Sequence, residues 1–179
     1  MEKRVLVVGF GGQGILFTGK LLAYMGLLNN QNVTWMPSYG AEMRGGTSSC
    51  GITLSDEEIG SPVVDKPDCL IAMNLPSLLK FEPAVVPGGI LLLDSSLVDR
   101  KPVREDIKVC LIPATKMAYD NDLEGLANLI LLGKLLAMTG LVPRDLVEPA
   151  LGKVVSARRM SLFEANLRAL DLGYSYNLS

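Results

Sequence analysis

The segment Gly9-Phe10-Gly11-Gly12-Gln13-Gly14 constrains the fold of this chain more than any other stretch of its sequence. It follows the apolar run Val5–Val8, which is typical of a strand buried on both faces of a parallel sheet. The apolar residues after it recur with helical spacing, at Phe17, Leu21, Met25 and Leu28. The pattern therefore predicts a buried strand, a tight glycine turn and a helix over Gln13–Leu28.

Further strands and helices follow from apolar runs and turn signals. Four of the strands are predicted at Val33–Met36, Cys69–Met73, Ile90–Leu93 and Val109–Ile112. Another, Thr47–Leu54, is expected to continue as a hairpin toward Ile59 through the turn Asp56-Glu57-Glu58. A short helix is predicted over Leu75–Phe81, and Pro87-Gly88-Gly89 forms a turn.

The C-terminal part of the chain reads as helical. Leu126–Met138 is apolar almost all round and is followed by Gly140 as a C-cap. Pro143 fits the first turn of a short helix, and a capping box at Ser161–Glu164 begins the last helix, which Gly173 is expected to end. Together the elements predict a three-layer, Rossmann-like α/β domain. Its sheet is mostly parallel, with flanking helices and room for one antiparallel strand.

Composition narrows the functional classes. With 179 residues there is room for one domain over residues 1–179, and 17 basic against 19 acidic residues argue against a nucleic-acid binder. There is no histidine, which excludes a Ser–His or Cys–His couple within the chain. Cys50, Cys69 and Cys110 are too scattered for an iron–sulfur or zinc site, and their use fits the cytoplasm. The longest apolar region, Leu126–Met138, is too short to span a bilayer.

The glycine loop matches the pattern of turns that bring phosphates to a helix N-terminus. Dinucleotide binding also requires an acid at the end of the second strand, about 20 residues on. Residues 29–36 read Asn-Asn-Gln-Asn-Val-Thr-Trp-Met and contain no acid. Three interpretations stay open: dinucleotide binding, contact with another phosphate or anion, and a turn whose glycines serve geometry alone.

A second segment, Ser38–Ser49, leaves the second strand and is expected at the same edge of the sheet as the glycine loop. Arg44 can bind a carboxylate or phosphate with two hydrogen bonds. Glu42 can pair with Arg44, cap the glycine-loop amides or reach a ligand. The alternative is a structural Glu–Arg pair that holds a long loop.

The other strand ends at this edge carry short polar groups. These are Asn74, Asp94-Ser95-Ser96 and Ala114-Thr115-Lys116. We expect helix caps and turn residues here, with Lys116 as a candidate anion contact. The helix Leu126–Met138 is interpreted either as a buried core helix or as an interface with another subunit, since an all-round apolar helix needs cover on every side.

The pair Gly-Phe-Gly-Gly-Gln-Gly and Ser-Tyr-Gly-Ala-Glu-Met-Arg-Gly-Gly resembles the gamma subunit of 2-oxoacid:ferredoxin oxidoreductases. The resemblance covers essentially the whole chain. It implies a set of candidate cofactor-binding residues and no catalytic or metal-binding ones. That set is Gly9, Gly11, Gly12, Gln13, Gly14, Ser38, Tyr39, Glu42, Arg44, Gly45, Gly46 and Thr47.

The resemblance implies an accessory role in a complex that decarboxylates a 2-oxoacid, transfers the acyl group to coenzyme A and reduces ferredoxin. Thiamine diphosphate, Mg²⁺ and iron–sulfur clusters would lie in partner subunits of alpha, beta and delta type, and coenzyme A would be the co-substrate. The alternatives are a stand-alone nucleotide-binding oxidoreductase domain and a structural scaffold. The scaffold hypothesis expects Gly11→Ala to damage folding, because the turn would have to admit a Cβ.

Overall fold

A computed structural model describes residues 1–39, 46–155 and 160–177 of the chain. Its strands are β1 (Glu2–Phe10), β2 (Asn32–Tyr39), β3 (Thr47–Ser55), β4 (Cys69–Ala72), β5 (Ile90–Asp94) and β6 (Lys108–Ile112). Its helices are α1 (Ile15–Leu28), α2 (Leu75–Phe81), α3 (Ala114–Asp120), α4 (Ala127–Thr139), α5 (Val147–Val154) and α6 (Met160–Ser175). Short 3₁₀ turns lie at Glu82–Ala84 and Arg144–Leu146, the second directly after Pro143.

The strands form one sheet in the order β2-β3-β1-β4-β5-β6. Strands β1, β4, β5 and β6 run parallel to one another, whereas β3 is antiparallel to both β1 and β2. This confirms the predicted α/β fold, and β3 is its antiparallel strand. The sequence pattern suggested a simple β-α-β unit at the start of the chain. In fact β3 lies between β1 and β2, although those two strands still point the same way.

Alternate residues of β1 face two different layers. Val5 and Val7 belong to the larger core with α1, α4, α5 and α6, and Leu6 and Val8 belong to the smaller core with α2. All four side chains are buried. An uninterrupted apolar run is therefore the expected sequence for this strand, because neither face of it meets water.

Helix α4 is buried by the chain itself. The ten residues 127–136 are all buried. The surrounding contacts come chiefly from α6, with further contacts from α3, β5 and α1. This confirms the interpretation as a core helix. Gly140 ends α4 in the left-handed conformation, as predicted.

The end of the chain differs from the prediction. Ser161 lies inside α6 and is not its cap, and the helix runs through Gly173 to Ser175. A Cβ at Gly173 would overlap the carbonyl oxygen of Ile130 in α4. The glycine is therefore needed for the close approach of the two helices and does not mark a helix end.

One further local prediction was wrong. Strand β3 ends at Ser55, and its hairpin partner is β2, so no hairpin extends toward Ile59. After Ser55 the Glu57 amide donates to the Ser55 hydroxyl, and the Asp56 amide donates to the Met1 carbonyl. Helix α3 follows Pro113, where helix caps and turn residues were expected without helix bounds.

Candidate functional site

The glycine loop joins β1 to α1 at the edge of the sheet where the parallel strands end. The Gln13 amide donates to the Phe10 carbonyl at 3.2 Å and closes the turn. Gly12 and Gly14 have φ angles of 93° and 76°, which side chains rarely adopt. Helix α1 then begins at Ile15 with no side-chain cap and no acidic residue in its first turn. The loop therefore presents a positive helix end to the sheet edge.

The side chain of Gln13 ties the loop to the end of β4. Its Oε1 accepts from the Phe10 amide at 2.7 Å and from the Asn74 side-chain amide at 3.3 Å. Its Nε2 donates to the Met73 carbonyl at 3.2 Å. Asn74 in turn accepts from the Ser77 amide at 2.9 Å, which confirms the predicted helix cap. The structure thus shows Gln13 in a positioning role.

The glycines of the loop differ in what they require. A Cβ at Gly9 would lie 2.6 Å from Gln13 Oε1 and 2.7 Å from Ile15 Cδ1. A Cβ at Gly11 would have no neighbour within 4 Å among the described residues, and Gly11 is exposed. The expectation that Gly11→Ala damages folding is therefore wrong. Glycine at position 11 leaves the loop surface without a side chain, at a point where the described fold does not require a glycine.

Asn128, in the first turn of α4, forms side-chain hydrogen bonds to the glycine loop and to α1. Its Nδ2 donates to the Gly14 carbonyl at 3.2 Å and to Thr18 Oγ1 at 2.9 Å. Thr18 Oγ1 also donates to the Gly14 carbonyl, at 3.0 Å. The Asn128 side chain is 3% exposed, and its Oδ1 has no partner among the described residues. The only sequence signal for this contact is one amide inside a long apolar run.

The second predicted segment reaches the same edge as the glycine loop. Across the sheet, Tyr39 lies opposite Ser48, which lies opposite Gly9, and Phe10 lies opposite Thr47. The next pair is Ser38 with Ser49. The prediction that the two segments converge is therefore confirmed for Ser38, the Tyr39 backbone, Gly46 and Thr47. Glu42, Arg44 and Gly45 lie outside the described residues.

An apolar cleft of about 300 Å³ adjoins the glycine loop. Gly12 and Gln13 form one side of it, and α3 forms another. The remaining wall comes from Met73 and Leu97, and from Glu124, Gly125 and Ala127 near the start of α4. Its volume is at the lower end of the range for small-molecule sites. A larger cleft of about 520 Å³ lies at the opposite edge of the sheet, away from the predicted site residues.

The polar strand ends after β5 and β6 serve the fold. Asp94 is buried and accepts from Thr115 Oγ1 at 2.6 Å and from the Ser96 amide at 3.0 Å. It also accepts from the Thr115 amide, so it caps the start of α3. Lys116, expected as an anion contact, pairs instead with Asp120 at 2.7 Å on the surface. These groups confirm the predicted caps and give the site no cation.

The described residues supply little reactive chemistry. Burial raises the pKa of the Cys50 and Cys69 thiols to about 12, and burial also raises that of Cys110. In residues 1–39, 46–155 and 160–177, no three His, Cys, Asp or Glu side chains come together as metal ligands. None of the helices in those ranges has the length and apolar character needed to cross a bilayer. The arrangement is suited to binding and positioning.

The geometry also bears on dinucleotide binding. In that mode the end of the second strand lies beside the glycine loop and holds the ribose. Here β3 lies between, so the end of β2 is two strand spacings, roughly 10 Å, from β1. Ser38 and Tyr39 also stand where an acid would be required. Both features argue against a conventional NAD site.

Comparison with known proteins agrees with this arrangement. The family model for pyruvate ferredoxin/flavodoxin oxidoreductase matches residues 4–176. The chain is 39% identical over 174 residues to ketoisovalerate oxidoreductase subunit VorA of Methanothermobacter thermautotrophicus, covering 96% of this chain and 36% of that protein. It is 34% identical to 2-oxoglutarate synthase subunit KorC of Methanocaldococcus jannaschii, covering 97% of this chain and 93% of that one.

A solved structure shares the whole fold. The gamma subunit of a keto/oxoacid ferredoxin oxidoreductase from Geobacter sulfurreducens superposes with a TM-score of 0.81 at 27% identity, covering 96% of each chain. The chain spans about a third of the length of VorA but almost all of KorC. On this evidence the chain belongs to the pyruvate ferredoxin/flavodoxin oxidoreductase family.

Proposed function

We propose that this chain is the gamma-type, accessory component of a complex that oxidatively decarboxylates a 2-oxoacid. The reaction converts the 2-oxoacid and coenzyme A to acyl-coenzyme A and CO₂, and two electrons pass to ferredoxin. The observation that carries the proposal is the match to KorC over 93% of that subunit's length. The lack of a reactive thiol or clustered metal ligands among the described residues supports an accessory role over a stand-alone enzyme.

The reactive cofactors would belong to partner subunits. Thiamine diphosphate and Mg²⁺ would activate the 2-oxoacid there, and iron–sulfur clusters would carry the electrons to ferredoxin. Residues 1–179 would act as one gamma-type domain beside alpha, beta and delta components in the cytoplasm.

The glycine-loop edge would meet coenzyme A or the partner that holds it. The uncapped N-terminus of α1 favours an anion such as a phosphate. Exposed Gly11 and the left-handed Gly12 leave space for close approach. Arg44, with Glu42, Gly45 and the flanking Ser38, Tyr39, Gly46 and Thr47, would complete the contact from the neighbouring loop.

Depletion and add-back test the proposed function. The complex stripped of this chain should lose coenzyme A-dependent reduction of ferredoxin, and adding the purified chain should restore it. Unchanged activity in the stripped complex would contradict the accessory role.

The site is tested separately in the assembled complex. Arg44→Ala should raise the KM for coenzyme A about tenfold or more, because a charge-assisted contact is lost. Lys116→Ala is the matched control, since Lys116 is already paired with Asp120. Equal KM values for the two variants would remove Arg44 from the site.

A further inference from the structure

A second concave surface lies away from the glycine-loop edge, between α1 and β2. This groove has a volume of about 300 Å³. Its lining residues are Lys20, Ala23, Tyr24, Leu27, Val33 and Trp35. Strand β2 is the last strand of the sheet, so no other strand of the described residues covers its outer side. The groove is therefore open to another molecule.

Two large apolar side chains on the groove are left in water. Trp35 is 41% exposed and Leu27 is 55% exposed. Trp35 lies on β2 and Leu27 lies on α1. Val33 and Tyr24, which also line the groove, are partly buried and pack against the larger core. Adjacent exposed apolar residues that line a concavity are typical of interaction sites, whereas scattered ones are not.

The backbone of Trp35 is held within β2, opposite Ile52 of β3. An aromatic side chain with only two rotatable bonds loses little entropy on binding, which is why tryptophan is frequent at the centres of interfaces.

The groove is better suited to side chains than to an added strand. β2 contains Pro37, which has no N–H to donate, and a proline on an edge strand opposes pairing with another strand. Lys20 is the one charged residue among the described residues that line the groove. It forms no ion pair within the parts of the chain that the structure describes. An occupant is thus expected to be apolar with a carboxylate at its rim.

We propose that this groove docks a partner subunit of the complex, through an apolar side chain flanked by an Asp or Glu that pairs with Lys20. The proposal rests on the proposed function. A second copy of this chain fits less well, because a two-fold interface would bring the same patch, and so two Lys20 ammonium groups, together. Among the described residues, the lining offers no acid that would separate them.

The test is assembly of the co-expressed complex, followed by native mass spectrometry of the purified material. Trp35→Ala and Lys20→Glu should each weaken incorporation of this chain about tenfold or more, and Lys20→Arg should restore it. Leu79→Ala is the matched control, since Leu79 is 45% exposed on α2, on the other face of the sheet. Thermal melts of each isolated variant separate lost docking from lost folding, and exposed Lys20 tolerates charge reversal without a core change.

Incorporation of Lys20→Glu and Trp35→Ala at the level of wild type would overturn the docking proposal while leaving the proposed function intact. Loss of a homodimer of this chain in those variants, with normal incorporation, would assign the groove to self-association and also overturn it. Failure of the wild-type chain to join any complex would instead refute the proposed function.

Discussion

The side-chain amide of Asn128 donates a hydrogen bond to the carbonyl oxygen of Gly14, across 114 residues of sequence. It connects the first turn of the buried helix α4 to the residue directly before α1. Both elements line or adjoin the apolar cleft at the sheet edge, through Ala127 and Gly12. Asn128 thus sets how the glycine loop is placed against the rest of the site.

Replacing Asn128 by aspartate should destabilise the protein, and the loss of stability should depend on pH. Asn128→Asp removes the donor and buries a carboxyl group beside carbonyl and hydroxyl oxygens, which raises the pKa of that carboxyl in the folded state. Stability is then retained below the unfolded pKa and lost as pH rises through the folded pKa. Urea unfolding should show Asn128→Asp losing about 2 kcal/mol or more at pH 8 relative to pH 4.

Asn128→Ala is the control for that measurement. It should cost about 1–3 kcal/mol with the same cost at both pH values, because it introduces no titratable group. If the aspartate variant also shows no pH dependence, the described surroundings of Asn128 are incorrect.

Two alanine substitutions in the glycine loop should separate glycines required by the fold from one that is not. Gly14→Ala should lower the free energy of unfolding by about 2–4 kcal/mol, because the residue has positive φ and its Cβ would overlap the Asn128 amide. Gly11→Ala should change it by less than about 0.5 kcal/mol. Equal destabilisation in urea titrations would contradict the loop geometry.

The buried cysteines predict a loss of stability in alkali. The pKa of the Cys50 and Cys69 thiols is about 12 in the folded chain, above the unfolded value. Their contribution is complete below the unfolded pKa and is lost as pH rises through the folded pKa. Between pH 8 and pH 10 each thiol ionises in the unfolded chain but not in the folded one, which should lower the free energy of unfolding by about 2 kcal/mol per thiol. Cys50→Ala and Cys69→Ala should each flatten that slope in denaturant titrations, and an unchanged slope would exclude the two thiols as its cause.

Asp94 should matter to stability and Lys116 should not. Asp94→Ala removes the acceptor for Thr115 and Ser96 at the start of α3 and should cost about 2–4 kcal/mol. Lys116→Ala breaks only an exposed ion pair and should change stability by less than about 1 kcal/mol. Thermal unfolding of both variants measures the difference, and a larger effect for Lys116 would reverse the roles assigned here.

The sequence predicted those elements whose start and end are marked by residues close by in the chain. Strand, turn and helix can all be predicted within the first 28 residues, because these contain the run Val5–Val8, the glycine loop and the α1 pattern. Helix α2 was predicted at its observed bounds, since Asn74 caps it and apolar strands flank it. The convergence of Ser38 and Gly9 on one edge followed from strand direction alone.

The rest depends on partners that are distant in sequence. The position of β3 between β1 and β2 is a choice of strand pairing, which no local pattern reveals. Helix α3 is capped by Asp94, 21 residues earlier. A glycine such as Gly173 is typical of a helix end, but here its neighbour is the carbonyl of Ile130 in another helix. The role of Asn128 likewise appears only when α4 meets the loop.

Membership of this chain in a 2-oxoacid oxidoreductase complex can be measured from the composition of the material purified with it. The chain should be tagged in its native source, purified under anaerobic conditions, and its partners identified by mass spectrometry together with their thiamine diphosphate and iron content. We expect stoichiometric recovery of subunits that carry thiamine diphosphate and iron–sulfur clusters, with coenzyme A-dependent oxidation of a 2-oxoacid. Recovery of the chain alone at native abundance, without those cofactors, would contradict it.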